Sequence, residues 1–411
     1  MLEQNDMGAM HGIRVLDVTR ILAGPWATQI LADMGAEVIK IERPKTGDDV
    51  RAAGPPFLHD KEGRETTDSA YFLSANRGKK SVTLNIATPE GQDIIRKLAA
   101  SCDIFMENYK VGTLKRYGLD YESLREINPR LIYCSITGFG QTGPLRDRPG
   151  YDFIFQGMGG LMSITGERDD LPGGGPQKLG VAFADLMTGM YTAIAVLGAL
   201  NARQRTGKGQ HIDLALFDVV VGALANMNLN YLVSGKIPGR MGNAHANLVP
   251  YQVFRCADGH LIIAVGNDRQ FADLCLVLGR SEWAEDERFR TNPSRIRNRD
   301  VLIPMLQEEL LRHNQADLIA ALEERDVSCG PINNIKQALE HPQTQAREMV
   351  ITVPHELAGS IRLIANPIKY SDTPMQYGTV PVLGANTTEV LTELCGLNEE
   401  QIHALRETGI I

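Results

Sequence analysis

Asp185 stands at the head of a long apolar stretch, directly after the small-residue run Gly180-Val-Ala-Phe-Ala184, with Thr188 and Gly189 just behind it. The spacing predicts a helix over Leu186 to Gln204, and a carboxylate at its start has two readings. It can be an ordinary N-cap, bonding the free amides of the first turn. It can also be a nucleophile, because a helix N-terminus keeps a carboxylate ionised and its N–H groups stabilise an oxyanion formed beside it. Other chemistries lack their motifs. The turn Arg20-Ile-Leu-Ala-Gly-Pro25 has no glycine fingerprint for a pyrophosphate, although Glu42 sits where a ribose-binding acid would. Thr206-Gly-Lys-Gly-Gln210 lies between a helix and a strand, the reverse of a P-loop, and reads as a tight turn; Gly173-Gly-Gly175 reads as a flexible loop. The sequence has neither GxSxG nor HExxH. Cys102, Cys134, Cys256, Cys275, Cys329 and Cys395 are scattered without a CxxC pair, so no metal site is expected and reduced thiols are.

The elements that must position Asp185 follow an alternating pattern. Gly12 to Thr19 is β-branched and apolar, Trp26 to Met34 has helical spacing ending at Gly35, and Glu37 to Glu42 is a second strand closed by Pro44. Ser81 to Asn85, Asp103 to Asn108, Leu131 to Ile136 and His211 to Leu216 read as further strands. Between them, Thr88-Pro-Glu90 opens a helix reaching about Ala100, and Asp120 opens a short one closed before Pro129. This alternation predicts an α/β fold, with an open parallel sheet in a large domain. After Leu232 the texture changes: Ser234 to Pro250 is a linker or active-site loop, and Asp258-Gly259 joins two strands as a hairpin. Helices near Gln270 to Leu278, Asp300 to Arg312 and Ala316 to Glu324 complete a small α+β domain. The expected division is 1–230, the N-terminal part of the large domain; 231–330, linker and small domain; and 331–411, a Pro-rich irregular segment with two short terminal helices that returns to the large domain.

Of the 411 residues, 50 are acidic and 42 basic, with no basic run, so neither nucleic acid nor a membrane surface is an expected partner. Met1 to Met10, with Glu3 and Asp6, lacks the basic start and apolar core of a signal peptide, and no apolar stretch is expected to reach membrane-span length. A cytoplasmic protein is the expectation.

An ordered series of segments runs through Gly12-Ile-Arg-Val-Leu-Asp17, Ala23-Gly-Pro25, Gly35-Ala-Glu-Val-Ile-Lys-Ile-Glu-Arg-Pro44, Gly47-Asp48 and Asn76-Arg-Gly-Lys-Lys-Ser81. It continues with Glu107-Asn108, Gly112, Ser135-Ile-Thr-Gly-Phe-Gly140, Asp185-Leu-Met-Thr-Gly189 and Thr206-Gly-Lys-Gly209. In this order the series resembles class III CoA-transferases, the group that includes formyl-CoA and carnitine-CoA transferases. Gly242-Asn-Ala-His-Ala-Asn-Leu-Val-Pro-Tyr251 and Cys329-Gly-Pro-Ile-Asn-Asn334 resemble the succinyl-CoA:glutarate (dicarboxylate) branch.

The resemblance implies a Rossmann-like large domain, a smaller domain and an interlocked homodimer. Asp185 matches the nucleophilic aspartate, which forms a mixed anhydride and then an aspartyl-CoA thioester. Coenzyme A would be a substrate carrier rather than a tightly bound cofactor, and the partners would be an acyl-CoA and a small carboxylic acid. Ile21, Arg43, Leu84, Asn108, Tyr109, Arg116 and Tyr117 match CoA contacts of the formyl-CoA branch, with Arg43 and Arg116 suited to phosphate. Ala87 and Thr137 stand where that branch has lysines. Gln141 and the loop residues Gly242, His245 and Asn247 are the candidates for substrate contact, the loop offering imidazole and amide donors to a second carboxylate. The alternatives are an α-methylacyl-CoA racemase-like enzyme, disfavoured because Tyr151 replaces its histidine, and an inactive CoA-binding protein, disfavoured by Asp185.

Overall fold

The computed structural model describes residues 7–411, so the expectation for Met1 to Met10 falls largely outside the described residues. Six parallel strands form the main sheet: β1 (Arg14–Asp17), β2 (Glu37–Glu42), β3 (Lys79–Thr83), β4 (Ile104–Glu107), β5 (Ile132–Thr137) and β6 (His211–Ala215), in spatial order 3-2-1-4-5-6. Val15 on β1 is in register with Val38 on β2 and with Ile104 on β4. Because side chains alternate along a strand, β1 sends Val15 to one face and Leu16 to the other, and both are fully buried. A sheet covered on both faces needs apolar residues at consecutive positions, which is why these strands read as apolar runs.

Four helices matter for the site: α1 (Ala23–Asp33), α2 (Pro89–Ser101), α3 (Asp152–Met158) and α4 (Phe183–Thr206). Thr88 caps α2 by accepting the Gly91 N–H at 3.1 Å. α4 ends at Gly207, whose φ of 69° is the left-handed conformation that suits glycine. At Gly189 a Cβ would lie 2.8 Å from the Ala23 carbonyl oxygen, so the missing side chain lets α1 and α4 touch along their backbones. With 24 residues, α4 is long and apolar enough to cross a membrane, contrary to the expectation that no stretch would be. Its small-residue stripe Thr188, Gly189, Thr192, Ala193, Val196 and Ala199 is buried, while Met190, Tyr191, Ile194 and Leu197 are exposed, so packing within the chain accounts for only part of that composition.

Two compact units result. One comprises Met1–Leu161, Leu179–Asn226 and Pro342–Ile411; the other comprises Met162–Lys178 and Met227–His341. The second unit holds an antiparallel sheet of Tyr251–Arg255, His260–Ala264 and Cys329–Pro331, covered by the helices Asp268–Val277, Arg299–Leu310 and Gln315–Glu323. Phe254, Leu261, Ile263, Phe271 and Leu306 form its core. The segment after Pro331 departs from the irregular chain expected of it. It contains the helices Ile335–Glu340 and Pro342–Ala346 and a hairpin of Val350–His355 with Gly359–Ile364. Val353, Ile361 and Leu363 bury one face of that hairpin. With only two strands, Pro354 fits without interrupting a central ladder.

Candidate active site

In a doubly wound sheet of this order, β1 and β4 flank the point where the connections reverse, and the chain leaves their C-terminal ends to form a crevice. After β1, Ile21 has a φ of 71°, a left-handed conformation unfavourable for a β-branched residue. It persists because the turn is held from several sides. Asn108, just past β4, accepts the Arg20 N–H at 3.0 Å and donates to the Arg20 carbonyl at 2.7 Å. Asp48 accepts the Ile21 N–H at 3.1 Å. Strain fixed by surrounding bonds is characteristic of binding sites.

Buried charges hold Asp48 in place. Lys40 donates to the Asp48 carboxylate at 2.9 Å and to the Thr19 carbonyl at 3.0 Å, and Lys79 lies 3.2 Å from the Asp17 carboxylate. Burial alone would raise the pKa of Asp17, but Lys79, Lys40 and the hydroxyls of Thr19 and Thr28 outweigh it and hold the carboxyl below its usual range. Burial lowers Lys79 to about 8 despite the attraction of Asp17. Breaking either pair would strand a buried charge.

Above this floor lies a cavity of about 360 Å³, lined by Ile21, Asn108, Tyr109, Tyr151 and Asp185 among others. Asp185 enters it from the first turn of α4, which begins at Phe183, so Asp185 is not the N-cap. The capping bonds come from Asp152 of α3, whose Oδ1 accepts the N–H of Ala184 at 2.7 Å and of Asp185 at 3.3 Å. Gln156 steadies the other Asp152 oxygen at 2.6 Å and receives the Leu179 N–H at 2.9 Å. This reverses the expectation that the helix terminus keeps Asp185 ionised. Burial, followed by the charge of Asp152, pushes Asp185 up to about 7. Tyr71 is pushed up to about 12, by burial first and then by Asp185 and Asp152, so its phenol stays protonated.

The cavity gathers Ile21, Asn108, Tyr109 and Asp185 but not the other residues expected at the site. Arg43 is exposed and paired with Asp49, which also pairs with Arg20 at 3.4 Å. Leu84 is buried in the core beside the sheet, with Tyr117 packed against the same cluster. Arg116 is exposed, in a single 3₁₀ turn. The Gln141 N–H donates to the Asp213 carboxylate at 3.0 Å. Gly242, His245 and Asn247 belong to the second unit. There the Asn247 N–H donates to His245 Nδ1 at 3.0 Å, and the Asn247 side-chain oxygen accepts from Asn230 at 3.2 Å. Gly242 has a φ of 58°, and a Cβ there would lie 2.7 Å from the Glu167 carboxylate.

Arg20, Lys110, Arg146 and Arg148 also line the cavity, and sequence reasoning singled out none of them for binding. Nor did it single out Asp152, the neighbour of Tyr151. An aspartate opening a short helix in the stretch before Asp185's own helix was the available signal. Among the described residues no cluster of metal-ligating side chains occurs.

Comparison with known proteins finds relatives over nearly the whole chain. Residues 10–387 match the family model described as CoA-transferase family III. The chain is 50% identical to the succinate–glutarate CoA-transferase of Agrobacterium fabrum, covering 94% of this chain and 95% of that one. It is 41% identical to the human succinyl-CoA:glutarate CoA-transferase, over 100% of this chain and 91% of that one. The crystal structure of a CAIB/BAIF family protein from Brucella suis superposes with a TM-score of 0.83 at 49% identity, covering 95% of this chain and 100% of that one.

Proposed function

The chain belongs to CoA-transferase family III and is an enzyme, and from that premise we propose that it transfers CoA from succinyl-CoA to a dicarboxylate, glutarate first among them. The observation that carries this reading is Asp185, a half-buried carboxylate opening into the cavity at the β1–β4 crevice beside Ile21, Asn108 and Tyr109. The substrate pair is taken from the relatives, two of which are named for succinyl-CoA or succinate together with glutarate.

In the proposed mechanism an Asp185 oxygen attacks the thioester carbonyl. The C–S bond breaks, CoA leaves as thiolate and a mixed anhydride remains. The thiolate then attacks the Asp185 acyl carbon, expelling the donor as free carboxylate and leaving an aspartyl-CoA thioester. The acceptor carboxylate attacks that thioester, giving a second anhydride and thiolate. Attack of the thiolate on the acceptor's acyl carbon releases the new acyl-CoA and restores Asp185. Covalent exchange of this kind divides one difficult transfer into easier steps, and it requires water to be kept from the anhydrides. With its pKa near 7, deprotonated Asp185 is a stronger nucleophile than an ordinary aspartate and a correspondingly poorer leaving group from its own anhydride.

Ile21, Asn108 and Tyr109 are assigned to CoA within the cavity; Arg43, Leu84, Arg116 and Tyr117 are assigned to it through the family resemblance. Gln141, Gly242, His245 and Asn247 are retained as acceptor-side candidates. We assign the chain to a homodimer, because α4 exposes Met190, Tyr191, Ile194 and Leu197 as an apolar stripe. Six free thiols support a reducing compartment, the cytoplasm.

The test is an exchange assay pairing a panel of acyl-CoA donors with mono- and dicarboxylic acids, run on the wild type and on Asp185→Asn. Exchange strongest with succinyl-CoA and glutarate, and lost in Asp185→Asn while CoA still binds, is the expected outcome. Turnover by the variant at the wild-type rate, or racemisation of a 2-methylacyl-CoA without exchange, would overturn it.

A further inference from the structure

Four cations line the cavity that holds Asp185, but they are not equivalent. Arg20 pairs with Asp49 at 3.4 Å and lies over the Tyr109 ring at 5.0 Å. Arg146 pairs with Asp147 at 3.4 Å. Lys110 follows directly on Asn108 and Tyr109, the residues assigned to CoA. Arg148 has no carboxylate partner among the described residues; its guanidinium lies 5.8 Å from the centre of the Phe139 ring.

The backbone fixes where Arg148 stands. Gly138 and Gly150 both press on the buried ring of Phe155: a Cβ would lie 2.7 Å from its Cζ at Gly138 and 2.5 Å at Gly150. Both ends of the loop carrying Arg148 are thereby pinned on α3. That helix also presents Asp152 to the N–H groups of Ala184 and Asp185. One short helix therefore sets the position of the nucleophile and of an arginine that has no carboxylate partner among the described residues in the same cavity. A planar guanidinium matches a carboxylate with two parallel hydrogen bonds, which an ammonium cannot do.

We propose that Arg148 is the specificity-determining residue of this site, binding the distal carboxylate of a dicarboxylic acid whose other carboxylate reacts at Asp185. The inference rests on the CoA-transfer reading above and deepens it by naming the group that separates dicarboxylates from monocarboxylates. Glutarate and pentanoate have the same chain length, and only glutarate has the second carboxylate.

The experiment measures kcat/KM for both acceptors with succinyl-CoA, in the wild type, Arg148→Gln, Arg148→Lys and His245→Ala, with CoA affinity measured alongside. The ratio between acceptors cancels any effect on the donor half of the reaction. Arg148→Gln is expected to lower the glutarate-to-pentanoate ratio about ten- to a hundredfold, as loss of a charged hydrogen-bonded pair does. Arg148→Lys should lower it less, and this variant carries the test if the glutamine variant does not fold. An unchanged ratio in both arginine variants would overturn the inference. So would a loss of CoA affinity with the ratio kept, which would make Arg148 a phosphate ligand, or a fall in the ratio confined to His245→Ala. No exchange by the wild type with any acid would instead remove the CoA-transfer reading, and the inference with it.

Discussion

The Asp152 carboxylate caps the helix that carries Asp185, accepting the Asp185 N–H at 3.3 Å while its charge opposes ionisation of the Asp185 side chain. The same group thus orders the nucleophile's backbone and raises its pKa. Asp152→Asn removes the charge while its amide oxygen still accepts both N–H groups, at the cost of the Gln156 bond, whose Nε2 donor would then face the amide NH2.

For Asp152→Asn the acid limb of kcat/KM should therefore move to lower pH than the value near 7 set by Asp185. Burial is the larger cause of the raised pKa, so the limb should remain above that of an ordinary aspartate. Asp152→Ala also loses the cap and should lower stability by about 0.5–2 kcal/mol. A pH profile of Asp152→Asn that overlays the wild type would show that its charge does not act on Asp185.

Stability should carry the opposite signature. Asp185 binds its proton up to about 7 in the folded chain but only to about 4 when unfolded. Between those values the folded state holds more protons, so its stability falls as pH rises, and the destabilisation is complete above pH 7 or so. Asp185→Asn removes this effect. Its melting temperature should exceed the wild type's by more at about pH 8 than at about pH 4.5, read by thermal denaturation in matched buffers. A gain that does not change with pH would contradict a raised pKa at Asp185.

CoA binding should depend on Arg43 and Arg116 in a salt-sensitive way. Arg43 is exposed and already faces Asp49, so a phosphate must compete with that carboxylate. Arg43→Ala should weaken CoA several-fold, whereas Asp49→Asn, which frees both Arg20 and Arg43, should tighten it. Calorimetric titration with CoA at low and high salt reads both effects. Unchanged affinity in Arg43→Ala and Arg116→Ala would place the phosphates elsewhere.

Much of the sheet was legible because buried parallel strands are written as short apolar runs, and each of the six lies within two residues of its expected span. The site was legible only in part. Asp185 announced itself through small residues ahead of a long helix, but the cap from Asp152 depends on two helices meeting at their N-termini, which no local spacing encodes. Likewise, Arg148 reaches the cavity because Gly138 and Gly150 close on Phe155, a contact between positions that the sequence leaves apart. The hairpin of Val350–His355 with Gly359–Ile364 was hidden by Pro354 and by the prolines around it, which read as irregular chain. α4 matches a membrane span in composition because its breaks are averaged along its length, although one of its faces is buried and another is exposed.

The measurement that bears most directly on the central claim is mass spectrometry of the enzyme quenched with acid during turnover of succinyl-CoA, followed by peptide mapping. A nucleophilic Asp185 predicts CoA in thioester linkage on the peptide containing that residue, absent from Asp185→Asn and discharged when glutarate is added before the quench. CoA found instead on a cysteine, or turnover with no covalent CoA at any residue, would contradict the account.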